Sequence, residues 1–305
     1  MKKIIFLFVV GILLAVVFTL GYNRQGEEPS SNGKKVAATL FPLYDITKNI
    51  AGEEVDTVLI VDPGVSPHSF DPSPEDIKRI QGSQAIFVIN YGIDEWSSKL
   101  AKSAGIDKQI VADNNVNLRE YTDAEEHIEE EGEDNHNEEG IDPHYWLSVT
   151  NAKGIAAQVR DELILLYPES KEVFEANYVT YEAELTKLDE EIRSELSAIE
   201  DRNIATFHNA WGYFAEEYDL TIVTTFEEFP GEEPSPEYVR EFTEHIQEHD
   251  VKVIYAEPHF STSSLEPIAA DLGIQISQLA PEGMTGIHTY IELMRYNGLQ
   301  ISKSL

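Results

Sequence analysis

The sequence has no cysteine, which removes disulfides and thiolate ligands and leaves histidine, aspartate and glutamate as its metal-binding vocabulary. An exported chain without such staples must rely on its core. Positive charge is scarce too: 22 Lys and Arg stand against 56 Asp and Glu, a formal net charge of −34. Phosphate backbones and anionic lipid surfaces require clustered Lys and Arg, so nucleic acid is excluded as a partner; cations are the natural clients, with surface acidity for solubility or a salty habitat as the competing reading of most of these charges. No His-Glu-x-x-His stretch is present, which removes the familiar helix-borne site of zinc proteases. Long apolar runs are limited to one, Ile4 to Leu20, preceded by Lys2 and Lys3 and followed by the polar stretch Tyr22 to Lys35. That pattern reads as an export signal. The run is slightly longer than a usual signal core and near the short limit for a bilayer span, so a cleaved signal peptide over residues 1–21 and a retained N-terminal anchor both fit, with 22–34 as linker. The expected location is the periplasm or the outer face of the cytoplasmic membrane.

What remains is about 270 residues, enough for two lobes with a buried core each. From Val36 to Val111, β-branched runs (Val36 to Thr39, Val55 to Val61, Ala85 to Ile89, Gln109 to Val111) alternate with helical patterns at Leu43 to Ile50, Ser73 to Ile80 and Glu95 to Ala104. The rhythm resumes after Asn203, with strands predicted at Ile204 to Phe207, Leu220 to Thr224, Val251 to Tyr255 and Gln275 to Gln278. Helices are predicted there at Trp211 to Tyr218, Pro236 to Glu248, Ser263 to Leu272 and Gly286 to Ile301, with Ser235 as an N-cap. The implied architecture is α/β: two lobes, each a mostly parallel sheet flanked by helices. Between them, Glu169 to Arg202 lacks Gly and Pro and carries an apolar stripe through Tyr178, Tyr181, Leu185, Leu188, Ile192 and Leu196. It reads as one helix of roughly 30 residues, about 45 Å long. A coiled-coil seam is the competing reading, opposed by the breadth and aromatic content of the stripe. The expected organisation is an N-terminal lobe at 35–165, a linking helix at 166–202 and a C-terminal lobe at 203–305.

Three histidines stand in short, distinctive contexts: Pro67-His68-Ser69-Phe70-Asp71-Pro72, Asp142-Pro143-His144-Tyr145-Trp146 and Phe207-His208-Asn209-Ala210-Trp211. His68 and His208 fall beyond the carboxyl ends of predicted strands, where open α/β sheets bind ligands. Three neutral imidazoles drawn from distant segments would make a nitrogen-rich site suited to zinc. Any one of these histidines alone would read as a solvated loop residue. Upstream of His144, the acidic stretch within 120–142 lacks apolar periodicity and holds His127 and His136, a weak secondary attractor for cations. His245 and His249 share an i, i+4 face, but Glu244, Glu248 and Asp250 around them mark a solvated charged surface; His288 reads as a helix-start residue. Trp146 and Trp211, beside two of the three histidines, are expected to wall the site.

The order of Thr39-Leu40-Phe41-Pro42-Leu43-Tyr44-Asp45-Ile46, Pro63-Gly64, the three histidine motifs, Asn177-Tyr178, Glu233-Pro234-Ser235-Pro236 and Glu257-Pro258-His259-Phe260-Ser261 gives a further lead. From Lys35 onward the chain resembles the metal-binding solute-binding proteins of ABC importers, the zinc and manganese group, and within it the zinc-uptake proteins most. The resemblance implies a C-clamp of two lobes on one long helix, with zinc as transported ligand, manganese as the alternative, and an ABC permease transmembrane subunit as partner to a monomeric binding protein. It implies His68, His144 and His208 as ligands; histidine at the third position favours zinc, where manganese members often carry Glu. An acidic, His-bearing loop before the second ligand is likewise a feature of many zinc members. Two departures stand out. The acid that often supplies the fourth ligand is replaced in Leu279-Ala280-Pro281, leaving Glu282, Glu257, His259 or water for that place, and placing an acid there by Ala280→Asp is expected to tighten zinc binding. Tyr22 stands roughly where Gram-positive relatives carry a lipid-bearing cysteine, so lipid attachment does not carry over.

Other functions compete with zinc capture and delivery. Three histidines with an open fourth position also describe catalytic zinc, but no general base matched to a substrate cleft is evident, and no catalytic residue is assigned. A surface adhesin is the third reading, prompted by the export signal and by how some relatives are described.

Overall fold

The computed structural model describes residues 33–121, 140–227, 233–258 and 260–305. The first sheet comprises β1 (Lys35–Ala38), β2 (Asp56–Leu59), β3 (Ile86–Val88) and β4 (Gln109–Val111), all parallel in the order β2-β1-β3-β4. Its helices are α1 (Phe41–Ala51), α2 (Pro74–Ile80) and α3 (Trp96–Ala104). The second sheet repeats the plan with β5 (Asn203–Thr206), β6 (Thr221–Thr225), β7 (Val253–Ala256) and β8 (Gln275–Gln278), parallel in the order β6-β5-β7-β8. Its helices are α6 (Gly212–Glu217), α7 (Pro236–Glu248), α8 (Leu265–Leu272) and α9 (Tyr290–Ser304); α4 (Val149–Leu166) and α5 (Lys171–Leu196) lie between the sheets in sequence. The fold is thus two parallel-sheet α/β domains flanked by helices and linked by a long helix. Central strands β1, β3 and β7 are nearly all buried, as expected of parallel sheets covered on both faces.

Local chemistry sets the element starts. Ser73 and Asp76 form a reciprocal capping box on α2, Ser148 caps α4 by accepting from Asn151 N–H, and Ser235 caps α7 ahead of Pro236. The linking helix is shorter than the sequence pattern predicts. Pro168–Ser170 form a 3-10 turn before it, and at its far end Arg202 donates to the Leu196 carbonyl (2.9 Å) and to the Tyr218 carbonyl (3.1 Å), so residues 197–202 leave the helix for β5. The start of α9 moves from Gly286 to Tyr290 because Thr289 is the N-cap and Gly286 has φ 91°.

The helix α5 packs on α1 and α4 of the first domain and on α9 of the second. Asn177 donates to the Ile50 carbonyl at the end of α1 (3.0 Å), and a side chain at Gly52 (φ 58°) would meet Asn177 Nδ2 at 2.8 Å. One apolar core runs from Val36 and Phe87 through Trp146, Phe174 and Leu188 to Tyr213, Phe214, Leu279 and Met294. The two domains therefore share one continuous buried core.

Candidate metal centre

Each of the three histidines sits where backbone geometry presents it to the space between the sheets. His68 belongs to the turn following β2, where Trp96 Nε1 donates to the Pro67 carbonyl (3.1 Å) and Phe70 packs on Trp96 with ring centroids 4.8 Å apart. His144 leads the 3-10 turn Tyr145–Leu147, itself fully buried. His208 follows β5 directly. The three rings approach one another at centroid distances of 5.5 Å (His68 and His144), 5.9 Å (His68 and His208) and 5.3 Å (His144 and His208). One nitrogen from each lies within 4.8 Å of the others. A tetrahedral zinc with bonds of about 2 Å keeps its ligand atoms roughly 3.3 Å apart, so modest closure of this triangle suffices.

Two carboxylates stand behind two of the rings. Asp142 Oδ1 lies 2.8 Å from His144 Nδ1 and accepts from the His144 backbone N–H at 2.9 Å. Glu257, which follows β7, meets His208 Nδ1 through Oε1. Both arrangements leave Nε2 as the inward atom, and Nε2 of His144 and of His208 is buried with no hydrogen-bond partner. A buried imidazole nitrogen without a partner is costly unless a cation or proton uses its lone pair.

A further acid lies beside His208. Glu282, which follows β8, is 3 % exposed, neither of its oxygens has a hydrogen-bond partner, and with His208 and Glu257 it forms a second cluster of donor atoms within 4.8 Å. Burial, helped by the charge of Glu257 and opposed by His208, pushes the Glu282 carboxyl up to about 8. For His208, burial alone would lower the pKa, but the charge and hydrogen bond of Glu257, with Glu282 and Glu227 behind it, carry it up to about 9. His144 moves the other way: burial holds it below the ordinary imidazole value, with Asp142 pulling upward.

The remaining sequence candidates separate. His127, His136 and His259 lie outside the described residues, as do 1–32 and most of the acidic stretch. His249 and His288 are exposed and His245 half-buried, and no metal-type cluster among the described residues includes them. Ala280 is fully buried in an apolar cluster with Phe41 and Leu293, and its backbone N–H and carbonyl are both held by Asn297 (2.9 and 3.0 Å). Trp146 does wall the site: its ring lies 5.3 Å from His144, and its Nε1 donates to the Pro281 carbonyl next to Glu282 (2.9 Å). Trp211 is buried against Phe214, at 5.9 Å. The sequence marks Glu257 only as a possible fourth ligand; its contact with His208 has no local signal, nor has Arg119, which pairs with Asp142 at 2.9 Å. The spacing Asp-x-His at 142–144 was the one local signal of the first carboxylate.

Comparison with known proteins places the family and the fold. The family model described as zinc-uptake complex component A, periplasmic (ZnuA) matches residues 36–304. The zinc-binding protein AdcA of Streptococcus pyogenes serotype M3 is 31% identical over 297 residues, covering 93% of this chain and 57% of the relative, so the chain spans a little over half that protein's length. The manganese-binding lipoprotein MntA of Halalkalibacterium halodurans is 28% identical over 305 residues, covering 97% of each chain. A crystal structure of ZnuA superposes with a TM-score of 0.76 at 25% identity, covering 89% of this chain and 98% of that one. The resemblance carried by the motifs is borne out.

Proposed function

We propose, since this chain belongs to the zinc-uptake complex component A family, that it captures zinc outside the cytoplasm and delivers it to the transmembrane subunit of an ABC importer. The observation that carries the reading is the convergence of His68, His144 and His208, from three separate segments, on one buried point between the two sheets. In this reading they bind zinc through one nitrogen each. Glu282 is the fourth ligand rather than water, because it brings an unpaired buried carboxylate up to His208, while Glu257 is engaged with His208 Nδ1. Three nitrogens and one oxygen suit zinc, and manganese would prefer more oxygen. The relatives named above are described as zinc-binding in one case and manganese-binding in the other.

Capture is an exchange of protons for a metal ion. Zinc requires neutral imidazoles and an ionised carboxylate, so it displaces the protons that His208 and Glu282 hold in the metal-free protein. Charge balance favours the exchange, since Glu257 and Glu282 together offset a divalent cation. Nothing in this scheme turns over a substrate, and the protein acts as a monomeric carrier with lobes at 35–165 and 203–305 about the helix in 166–202. Among the described residues no helix is long and apolar enough to cross a membrane, so attachment would rest on the apolar N-terminal run.

The test is metal analysis of protein purified from metal-replete cells, followed by zinc titration against a competing chelator. One tight zinc per chain, lost in His68→Ala, His144→Ala and His208→Ala and weakened in Glu282→Gln, is the expected result. Unchanged tight affinity in all three histidine variants would remove the proposal.

A further inference from the structure

The segment bearing His144 is held within its own domain and also by a clasp that reaches across to the other. Residues 119–121 pair with 140–142 in antiparallel fashion: Asp142 N–H donates to the Arg119 carbonyl (3.0 Å), Tyr121 N–H donates to the Gly140 carbonyl (2.7 Å), and Glu120 bridges Ile141. From this pair the Arg119 side chain turns inward. Its Nη1 meets Asp142 Oδ2 at 2.9 Å, with the Asp142 side chain fully buried and that of Arg119 only 15 % exposed. The other oxygen of Asp142 is the one that holds His144 Nδ1 and the His144 N–H.

The opposite wall of the clasp comes from α6, four residues past His208. Tyr213 Oη donates to the Asp142 carbonyl (2.8 Å) and accepts from the Arg119 N–H (3.0 Å), while the guanidinium lies over the Tyr213 ring, 5.7 Å from its centroid. Gly212 makes room for this arrangement: a Cβ there would lie 1.9 Å from Arg119 Nη1 and 3.0 Å from Asp142 Oδ2. One guanidinium therefore touches the carboxylate behind one proposed ligand and the helix that begins just after another.

From this geometry we infer that Arg119 and Asp142, braced by Tyr213, are positioning residues of the metal centre, fixing His144 with its proton on Nδ1 and its Nε2 lone pair turned to the cation. The inference rests on His144 as a ligand, as proposed above. The physical reason is division of labour within one carboxylate. Oδ1 accepts from Nδ1–H and thereby selects the tautomer, and Oδ2 is paired with Arg119, which fixes the carboxyl group beside the ring. Outer partners of this kind set ligand orientation, and their loss typically lowers metal affinity about 10–100-fold.

Two readouts on the full chain test this. Zinc competition titrations compare wild type with Asp142→Asn, Arg119→Ala, Arg119→Lys and Tyr213→Phe, and histidine 15N shifts in the metal-free protein report the His144 tautomer. Asp142→Asn and Arg119→Ala should each weaken zinc about 10–100-fold, and Arg119→Lys, which keeps the charge, should recover most of the loss. In the metal-free wild type, His144 should carry its proton on Nδ1, and Asp142→Asn should give a tautomer mixture with little change in melting temperature. Folded variants with wild-type zinc affinity and an unaltered tautomer would overturn the inference. If Arg119→Ala fails to fold, Asp142→Asn and Tyr213→Phe still decide it. The tautomer measurement needs no metal, so it judges the positioning even if His144→Ala left zinc binding intact and the ligand assignment itself fell.

Discussion

His144 and His208 face the same space and offer it the same atom, yet the charges behind them are arranged in opposite ways. Behind His144 the acid is Asp142, balanced by Arg119. Behind His208 stands Glu257; against the downward pull of burial, its charge and hydrogen bond, with the charges of Glu282 and Glu227, lift the pKa to about 9, while His144 is held below the ordinary value by burial. One imidazole is thus kept neutral in advance, and the other holds a proton inside an anionic well until a cation replaces it. The first arrangement supplies a ready lone pair; the second supplies the electrostatic drive for a divalent ion.

The largest expected effect removes either ring. His144→Ala and His208→Ala should each weaken zinc by more than about 100-fold, above the usual loss from an outer partner. Chelator competition would measure both. A large effect for one and none for the other would break the symmetry of the pair and leave a site of two histidines.

Adding an acid to the His208 side tests whether that side has room for one. The sequence pattern suggests that Ala280→Asp restores a missing ligand, but Ala280 packs against Phe41 and Leu293 and its backbone groups are already committed to Asn297. The variant should instead lose about 1–3 kcal/mol of stability in the metal-free protein, the cost of a poorly satisfied buried polar group. Denaturant unfolding reads this directly. An unchanged midpoint together with tighter zinc would mean that the carboxylate reaches the metal.

Acidity separates the two histidines more finely. Zinc binds the deprotonated form of His208, so affinity should rise by about tenfold per pH unit between pH 7 and 9 for each proton displaced, and level off above the pKa. Glu257→Gln removes the leading cause of the upward shift and should flatten that rise. Asp142→Asn should leave the slope in place, because His144 has already lost its proton at these pH values. A wild-type affinity that is flat from pH 7 to 9 would show that His208 carries no proton to displace.

Much of this was written into local sequence, and the remainder was not. The strand and helix rhythm follows from side-chain periodicity, and the three histidine motifs sit in turns that keep their character in any context. Asp142 is legible because its partner is two residues away. Glu257 and His208 are 49 residues apart and meet only because β5 and β7 are neighbours in the sheet, a pairing that no local pattern specifies. Arg119 looks like any loop arginine until Gly212, from the other domain, opens space for it. Ala280 shows the reverse error, since the pattern marks the position of an expected ligand and the packing makes it a piece of apolar core.

Another buried acid, Asp45, extends the comparison to a carboxylate backed by neither arginine nor histidine. Its Oδ2 accepts from the Tyr290 N–H at 2.8 Å, tying α1 to the first turn of α9, and Asn49 donates to it at 3.1 Å. Burial dominates over these contacts and lifts the carboxyl from 3.8 to about 6. A folded-state pKa above the unfolded one means that the native protein holds this proton more tightly. Asp45 therefore favours folding most at acid pH, and that contribution fades as pH rises from about 4 through about 6. Asp45→Asn keeps an acceptor for Tyr290 and removes the charge, so the metal-free variant should be more stable than wild type at pH 8, by about 1 kcal/mol. At pH 4.5, where the native carboxyl is protonated, the advantage should largely vanish. Thermal melts of both proteins at the two pH values measure the difference, and titrations elsewhere in the molecule cancel between them. A variant less stable than wild type at pH 8 would mean that the ionised oxygen gains more from the helix N-terminus and Lys48 than burial costs it.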